Sequence, residues 1–109
     1  RRIISIFQPH LYSRTRDFHL EFAKAFLDTD ILIITEIYPA RESPIKGITS
    51  QLIIDDMKSL GYENIHFIKN IDDIPIFIKS ITKKSDMIIT MGAGNIWRQC
   101  KPILEVLDA

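Results

Sequence analysis

Apolar positions along this chain fall into two alternating periods. Four short runs are rich in β-branched residues: Ile3 to Phe7, Ile31 to Ile37, Ile65 to Ile68 and Met87 to Met91. Such runs predict strands. The second, ILIITEI, is apolar at every one of its first four positions. That pattern predicts a strand covered on both faces.

Each run is followed by helical spacing. Phe18, Phe22, Ala25 and Phe26 share one face of a helix predicted from about Arg16 to Leu27, with Asp17 in its first turn. A second helix opens near Ser50 as N-cap, turns Ile53, Met57 and Leu60 inward, and stops at Gly61. A third takes Asp72 and Asp73 as its cap, tolerates Pro75 in its first turn and buries Ile74, Phe77, Ile78 and Ile81. The fourth starts at Asn95 and carries Ile96, Trp97, Cys100, Ile103, Leu104 and Leu107, with Pro102 kinking or restarting it.

The predicted order is β-α-β-α-β-α-β-α. Strands alternating with helices specify an α/β fold, a Rossmann-like three-layer αβα sandwich with a mainly parallel sheet. Residues 1–109 read as a single domain, near the usual domain size. The chain starts almost directly on a strand and reads as an excerpt from a longer polypeptide.

Ligands of such sheets collect at the carboxyl ends of the strands. After the first strand comes QPHLYSRT, after the second YPARESPIKGITS, and after the fourth GAGN. Only Lys69-Asn70 follows the third. The connection from Tyr38 to Thr49 is the longest irregular segment, and Pro39, Pro44 and Gly47 keep it so.

Charge narrows the partners. Lys plus Arg and Asp plus Glu both number 14, giving zero formal net charge. No bulk field attracts nucleic acid or an anionic membrane, which leaves room for a local anion pocket. No apolar run approaches the ~20 residues that span a bilayer. A lone cysteine, Cys100, excludes an internal disulfide and fits a reducing cytosol, so a cytoplasmic location is expected. Its ordinary reading is a small buried side chain on a helix.

The polar residues after the first strand are the main chemical signal. Arg14 and Arg16 flank a helix start, where a guanidinium grips a carboxylate or phosphate beside free backbone N–H groups. The bland alternative is a pair of solvated charges. His10 is a donor to an anion or a packing residue; His19 and His66 read as structural or exposed. No His/Cys/Asp/Glu spacing marks a metal site. Tyr38, Arg41 and Glu42 lie in the long connection, which reads as a lid or interdomain contact. Gly92, Gly94 and Asn95 belong to a glycine turn that lets backbone approach a ligand, or simply a tight turn. No GxxxxGK[ST] occurs, and Trp97 takes the third glycine's place in GxGxxG. No nucleophilic triad or acid–base carboxylate pair stands out. Gln8, where a phosphoacceptor domain would carry acid, excludes that reading. On chemistry alone the chain is an anion-binding α/β module without its own catalytic apparatus.

FQPHLYSRTRDF, EIYPARESPIKGITS and MGAGNI, in that order, resemble the C-terminal domain of the Mur ligases of peptidoglycan synthesis. FQPHLYSRT is the most specific of them and resembles the branch that joins L-alanine to UDP-N-acetylmuramate. The resemblance covers essentially the whole chain. It implies a Rossmann-like domain that binds the amino acid and closes an active site shared with two other domains. Those domains bind the UDP-sugar and, mainly through a P-loop, ATP and Mg. The muramoyl carboxylate becomes an acyl phosphate, which the alanine amine attacks. The same resemblance places His10, Tyr12, Ser13 and Arg14 on a substrate-binding loop, with Arg14 as the grip on the carboxylate or on charge near the phosphoryl group. Two departures stand out. Leu11 occupies a position where many relatives have arginine, and Thr49 one where they often have aspartate. The alternatives are another Mur-type ligase with a different amine acceptor, or a free-standing module for a nucleotide or other anion.

Overall fold

A computed structural model describes residues 1–108. Four strands, β1 (Ile3–Phe7), β2 (Ile31–Thr35), β3 (Ile65–Ile68) and β4 (Met87–Met91), form one sheet in the order β3-β2-β1-β4. Every neighbouring pair is parallel. Four helices alternate with them: α1 (Tyr12–Ala25), α2 (Gln51–Ser59), α3 (Ile74–Ile81) and α4 (Cys100–Asp108).

This strand order follows from handedness. β1 to β2 to β3 steps in one direction, so right-handed crossovers put α1 and α2 on one face. The return from β3 past the centre to β4 steps the other way and puts α3 on the opposite face, beside α4. Two cores result. Ile4, Ile6, Ile31 and Ile33 pack with Ile74, Ile78, Ile96 and Ile103. Leu32 and Ile34 pack with Ala23, Phe26, Ile53, Ile54 and Met57. β2 is buried at all five positions, as a run apolar on both faces requires.

The opposite end of the sheet is clamped by charge. Arg2 donates to both carboxylate oxygens of Asp86, at 3.1 and 2.7 Å, and to the Ile81 carbonyl at 2.8 Å. Asp86 also accepts from the Lys83 backbone N–H at 2.8 Å. The Arg2 hydrogen bonds hold the Asp86 carboxyl below its ordinary range.

Several predicted boundaries shift. α1 starts at Tyr12, not Arg16, so Tyr12, Ser13 and Arg14 form its first turn and are not loop residues. β2 stops at Thr35, leaving Glu36 and Ile37 outside it. Phe18 breaks the helical backbone inside α1 at φ −128° and is exposed; Ala23, not Ala25, is the buried alanine. Leu60 is exposed beyond the last turn of α2. Asp72 and Asp73 do not cap α3 through their side chains. The Asn70 side chain instead accepts from the Asp72 N–H at 2.9 Å, opening a 3-10 turn over Ile71–Asp73. A second 3-10 turn, Ile96–Gln99, precedes α4. Trp97, Cys100, Leu104 and Leu107 are exposed where the sequence pattern expects them buried, and Cys100, Leu104 and Leu107 flank β4, the edge strand of the sheet. Pro102 lies in the first turn of α4, where its missing N–H costs little. No helix among the described residues is long and apolar enough to cross a membrane.

Candidate functional site

The switch point of this sheet lies between β1, whose crossover runs toward β2, and β4 on its other side. Segments following β1, β2 and β4 meet there. Beyond β1 and β2 the chain stays paired: Tyr38 N–H donates to the Pro9 carbonyl at 2.8 Å, and Leu11 N–H to the Tyr38 carbonyl at 2.9 Å. The His10 and Tyr38 rings are nearly parallel, 17° apart with centroids at 6.0 Å.

Leu11 makes the corner. Its φ of 69° and ψ of 138° lie where a side-chain-bearing residue is strained, by an amount of order 1–3 kcal/mol. The corner is held from both sides. Its N–H is taken by Tyr38, and its carbonyl accepts from the Thr15 backbone at 3.2 Å and the Thr15 hydroxyl at 3.0 Å. Thr15 is buried for this reason.

The first turn of α1 has no cap from its own N-cap side chain. Glu42 supplies one from the long connection. Its carboxylate accepts from the Ser13 backbone N–H at 3.1 Å and from the Ser13 hydroxyl. The hydroxyl bond, chiefly, holds the Glu42 carboxyl below the usual carboxylate range. A negative group at a helix N-terminus is also where the dipole favours it. Arg16 pairs with its neighbour Asp17 at 2.8 Å, in the open. Arg14 is exposed and makes no hydrogen bond or ion pair among the described residues.

Across the switch point, Gln8 anchors the glycine turn. Only 4% of its surface is exposed. Its Oε1 accepts from the Asn95 and Ile96 backbone N–H groups, both at 3.0 Å, and its Nε2 donates to Asn95 Oδ1 at 2.7 Å. Gly94 must be glycine here. A Cβ on it would stand 2.5 Å from Tyr38 Cγ and 2.7 Å from Gln8 Oε1.

These parts surround a cleft of about 800 Å³ bordered by Gln8, Tyr12, Glu36, Tyr38, Lys69, Asn70, Asp73 and Asn95. A narrower, more apolar pocket of about 370 Å³ adjoins it, sharing Tyr12, Glu36 and Ile37 and reaching Pro44, Ile45, Ile48, Thr49 and Phe67. Of the residues singled out in the sequence, Tyr12, Tyr38 and Asn95 meet at the larger cleft. Ser13 and Glu42 meet each other instead. His10 stacks behind Tyr38. Arg14 and Arg41 stand exposed nearby in sequence and line neither cavity. Gly92 and Gly94 act by close approach: a Cβ on Gly92 would meet the Gln8 carbonyl at 3.0 Å. His19 pairs with Asp56 between α1 and α2, and His66 contacts Asn64 and Phe77, both structural placements.

Sequence reading missed three contributors. Lys69 and Asn70 looked like little, yet the sheet brings them to the cleft wall. Position at a strand's carboxyl end was the available signal. Gln8 looked only like a missing acid.

Comparison with known proteins identifies the family. A family profile described as "Mur ligase, glutamate ligase domain" matches residues 1–94. The chain belongs to the Mur ligase family. A UDP-N-acetylmuramate--L-alanine ligase of Geotalea uraniireducens is 44% identical over 107 residues, covering 98% of this chain and 23% of its own length. The same-named ligase of Salinibacter ruber is 36% identical over 108 residues, covering 99% of this chain and 23% of its own length. The crystal structure of the UDP-N-acetylmuramate-alanine ligase of Thermotoga maritima superposes with a TM-score of 0.68 at 26% identity, over 98% of this chain and 20% of that one. This Mur ligase chain therefore spans about a quarter of the length of the curated relatives it matches.

Proposed function

We propose that residues 1–109 form most of the C-terminal domain of a cytoplasmic, ATP-dependent ligase that joins L-alanine to UDP-N-acetylmuramate. The observation that carries this reading is the identity of 44% over 98% of the chain with a ligase of that name. The cleft at the sheet's carboxyl edge supports it, because a ligand-gripping domain needs its polar groups there.

Within such an enzyme, ATP supplies the energy by converting the muramoyl carboxylate to an acyl phosphate. This chain does not fit a self-sufficient Mg-ATP site. It has no P-loop sequence, and among the described residues no three His, Cys, Asp or Glu side chains cluster to hold a metal ion. ATP and Mg are therefore assigned to an ATPase domain of the parent protein, and the UDP-sugar to a further one.

The work assigned to this chain is holding and orienting. Arg14, a planar cation on the first turn of α1 with no internal partner among the described residues, holds the alanine carboxylate or charge near the transferring phosphoryl group. Tyr12, on the same helix turn, borders the cleft with Tyr38 and Asn95. His10 and Ser13 set the loop's form, through the Tyr38 stack and the Glu42 tie. Residues 38–50 close over the site. Holding the amine near the acyl carbon accounts for much of the rate such a site supplies.

The test is an assay of the full-length gene product with UDP-N-acetylmuramate, Mg-ATP and single amino acids. ATP-dependent formation of the L-alanine adduct is expected. Ligation of a different amino acid instead would make it another Mur-type ligase. Binding of ATP or anions without ligation would make it a binding module.

A further inference from the structure

We infer that Gln8 is a positioning residue that fixes the orientation of the Asn95 side-chain amide, so that Asn95 presents an N–H donor to the cleft. This rests on the reading of the cleft as the amino-acid site.

The argument is one of donors and acceptors. Gln8 Oε1 accepts two backbone N–H groups, those of Asn95 and Ile96, each at 3.0 Å. A reversed Gln8 amide would put its own NH₂ against both donors, so the backbone dictates which way this amide points. Nε2 must then face Asn95, at 2.7 Å, and only Asn95 Oδ1 can accept from it. The Asn95 amide is thereby fixed as well. Its Nδ2 has no partner among the described residues, on a half-buried residue that borders the cleft with Tyr38 and Lys69. At 4% exposure, Gln8 has no water to substitute for these bonds. The glycine at 94 serves the same arrangement, because any side chain there would push on Gln8 Oε1 and Tyr38 together.

The group that suits this position is an oxygen acceptor. In an amino-acid ligand that is the carboxylate; Lys69 is the cation bordering the same cleft, and Glu36 and Asp73 are the acids on it, left to face the ligand's amino group. Here a fixed amide donor contributes to the carboxylate's hold.

Gln8→Glu separates positioning from folding. A carboxylate still accepts from both backbone N–H groups, so the turn keeps its anchor. In its ionised form its second oxygen can only accept, so Asn95 must reverse, donating Nδ2 inward and turning Oδ1 to the cleft; the assays are therefore run at a pH where the introduced carboxyl group is ionised. In the full-length enzyme Q8E is expected to raise the KM for L-alanine tenfold or more. The KM for UDP-N-acetylmuramate stays within twofold, and the melting temperature within a few degrees. In the ¹⁵N-labelled full-length enzyme, the Asn95 Nδ2 protons change from fast to slow hydrogen exchange on Q8E substitution. An unchanged alanine KM, with Asn95 shown to have reversed, would overturn the inference. So would Nδ2 protons that exchange slowly already in the unsubstituted enzyme. Absence of alanine ligation by the unsubstituted enzyme would instead overturn the proposed function, and the exchange experiment would still decide the orientation of Asn95.

Discussion

Glu42 caps a helix turn that lies 29 residues before it, through two hydrogen bonds to Ser13. One comes from the Ser13 backbone and the other from its hydroxyl. The long connection after β2 is thus fastened to the first turn of α1, the turn that carries Arg14. Any movement of that connection is felt at the proposed grip.

Replacing Glu42 with alanine should free the connection while leaving both cores intact. Trypsin should then cut at Lys46 several-fold faster than in the unsubstituted chain, with little change in the far-ultraviolet circular dichroism. Equal cutting rates would mean that the tie to Ser13 does not restrain this segment.

The clamp between Arg2 and Asp86 predicts an acid dependence. The folded-state pKa of Asp86 is depressed. Its contribution is therefore complete above the unfolded value, about 3.9, and disappears as pH falls through the folded one. Urea midpoints should be flat from pH 7 to about 5 and should drop below about 4. Glu42, depressed in the same direction, adds to the same limb. Asp86→Asn should lower the midpoint at pH 7 and flatten the acid limb. A variant with an unchanged acid limb would remove Asp86 as its source.

Gly94 and Tyr38 predict a coupled pair. A Cβ 2.5 Å from Tyr38 Cγ cannot be accommodated without displacing the ring. Gly94→Ala should cost about 1–3 kcal/mol, the usual range for overpacking. Adding Tyr38→Ala removes the ring and leaves only the Gln8 Oε1 approach at 2.7 Å, so the double variant should lose less than the sum of the two single losses. Additive losses would show that the ring is not what excludes a side chain at 94.

The order of elements was legible because each strand states its own burial. ILII cannot serve as a half-exposed strand, and β2 is buried on both faces. GAGN could be read as a close-approach turn, and Tyr38 and Gln8 are what it approaches. The features that stayed hidden depend on distant partners. Nothing near Ser13 announces that Glu42 will cap α1 there, so the sequence pattern points to a helix start at Arg16. Nothing in MIITM says that β4 lies beside β1 and not β3. Nothing in the pattern after Asn95 announces the 3-10 turn at Ile96–Gln99, or that Trp97 and Cys100 are exposed. Gln8 hid for another reason: a buried amide satisfied by backbone N–H groups leaves no periodic trace.

The most direct test of the central claim is the kinetics of Arg14→Ala in the full-length enzyme. Hydrogen bonds to a charged group are worth about 1.5–3 kcal/mol. Losing that grip should raise the KM for L-alanine by roughly 10- to 100-fold. The KM for UDP-N-acetylmuramate should stay close to that of the unsubstituted enzyme. A normal KM for L-alanine together with normal turnover would contradict the assignment of this helix turn to the amino acid.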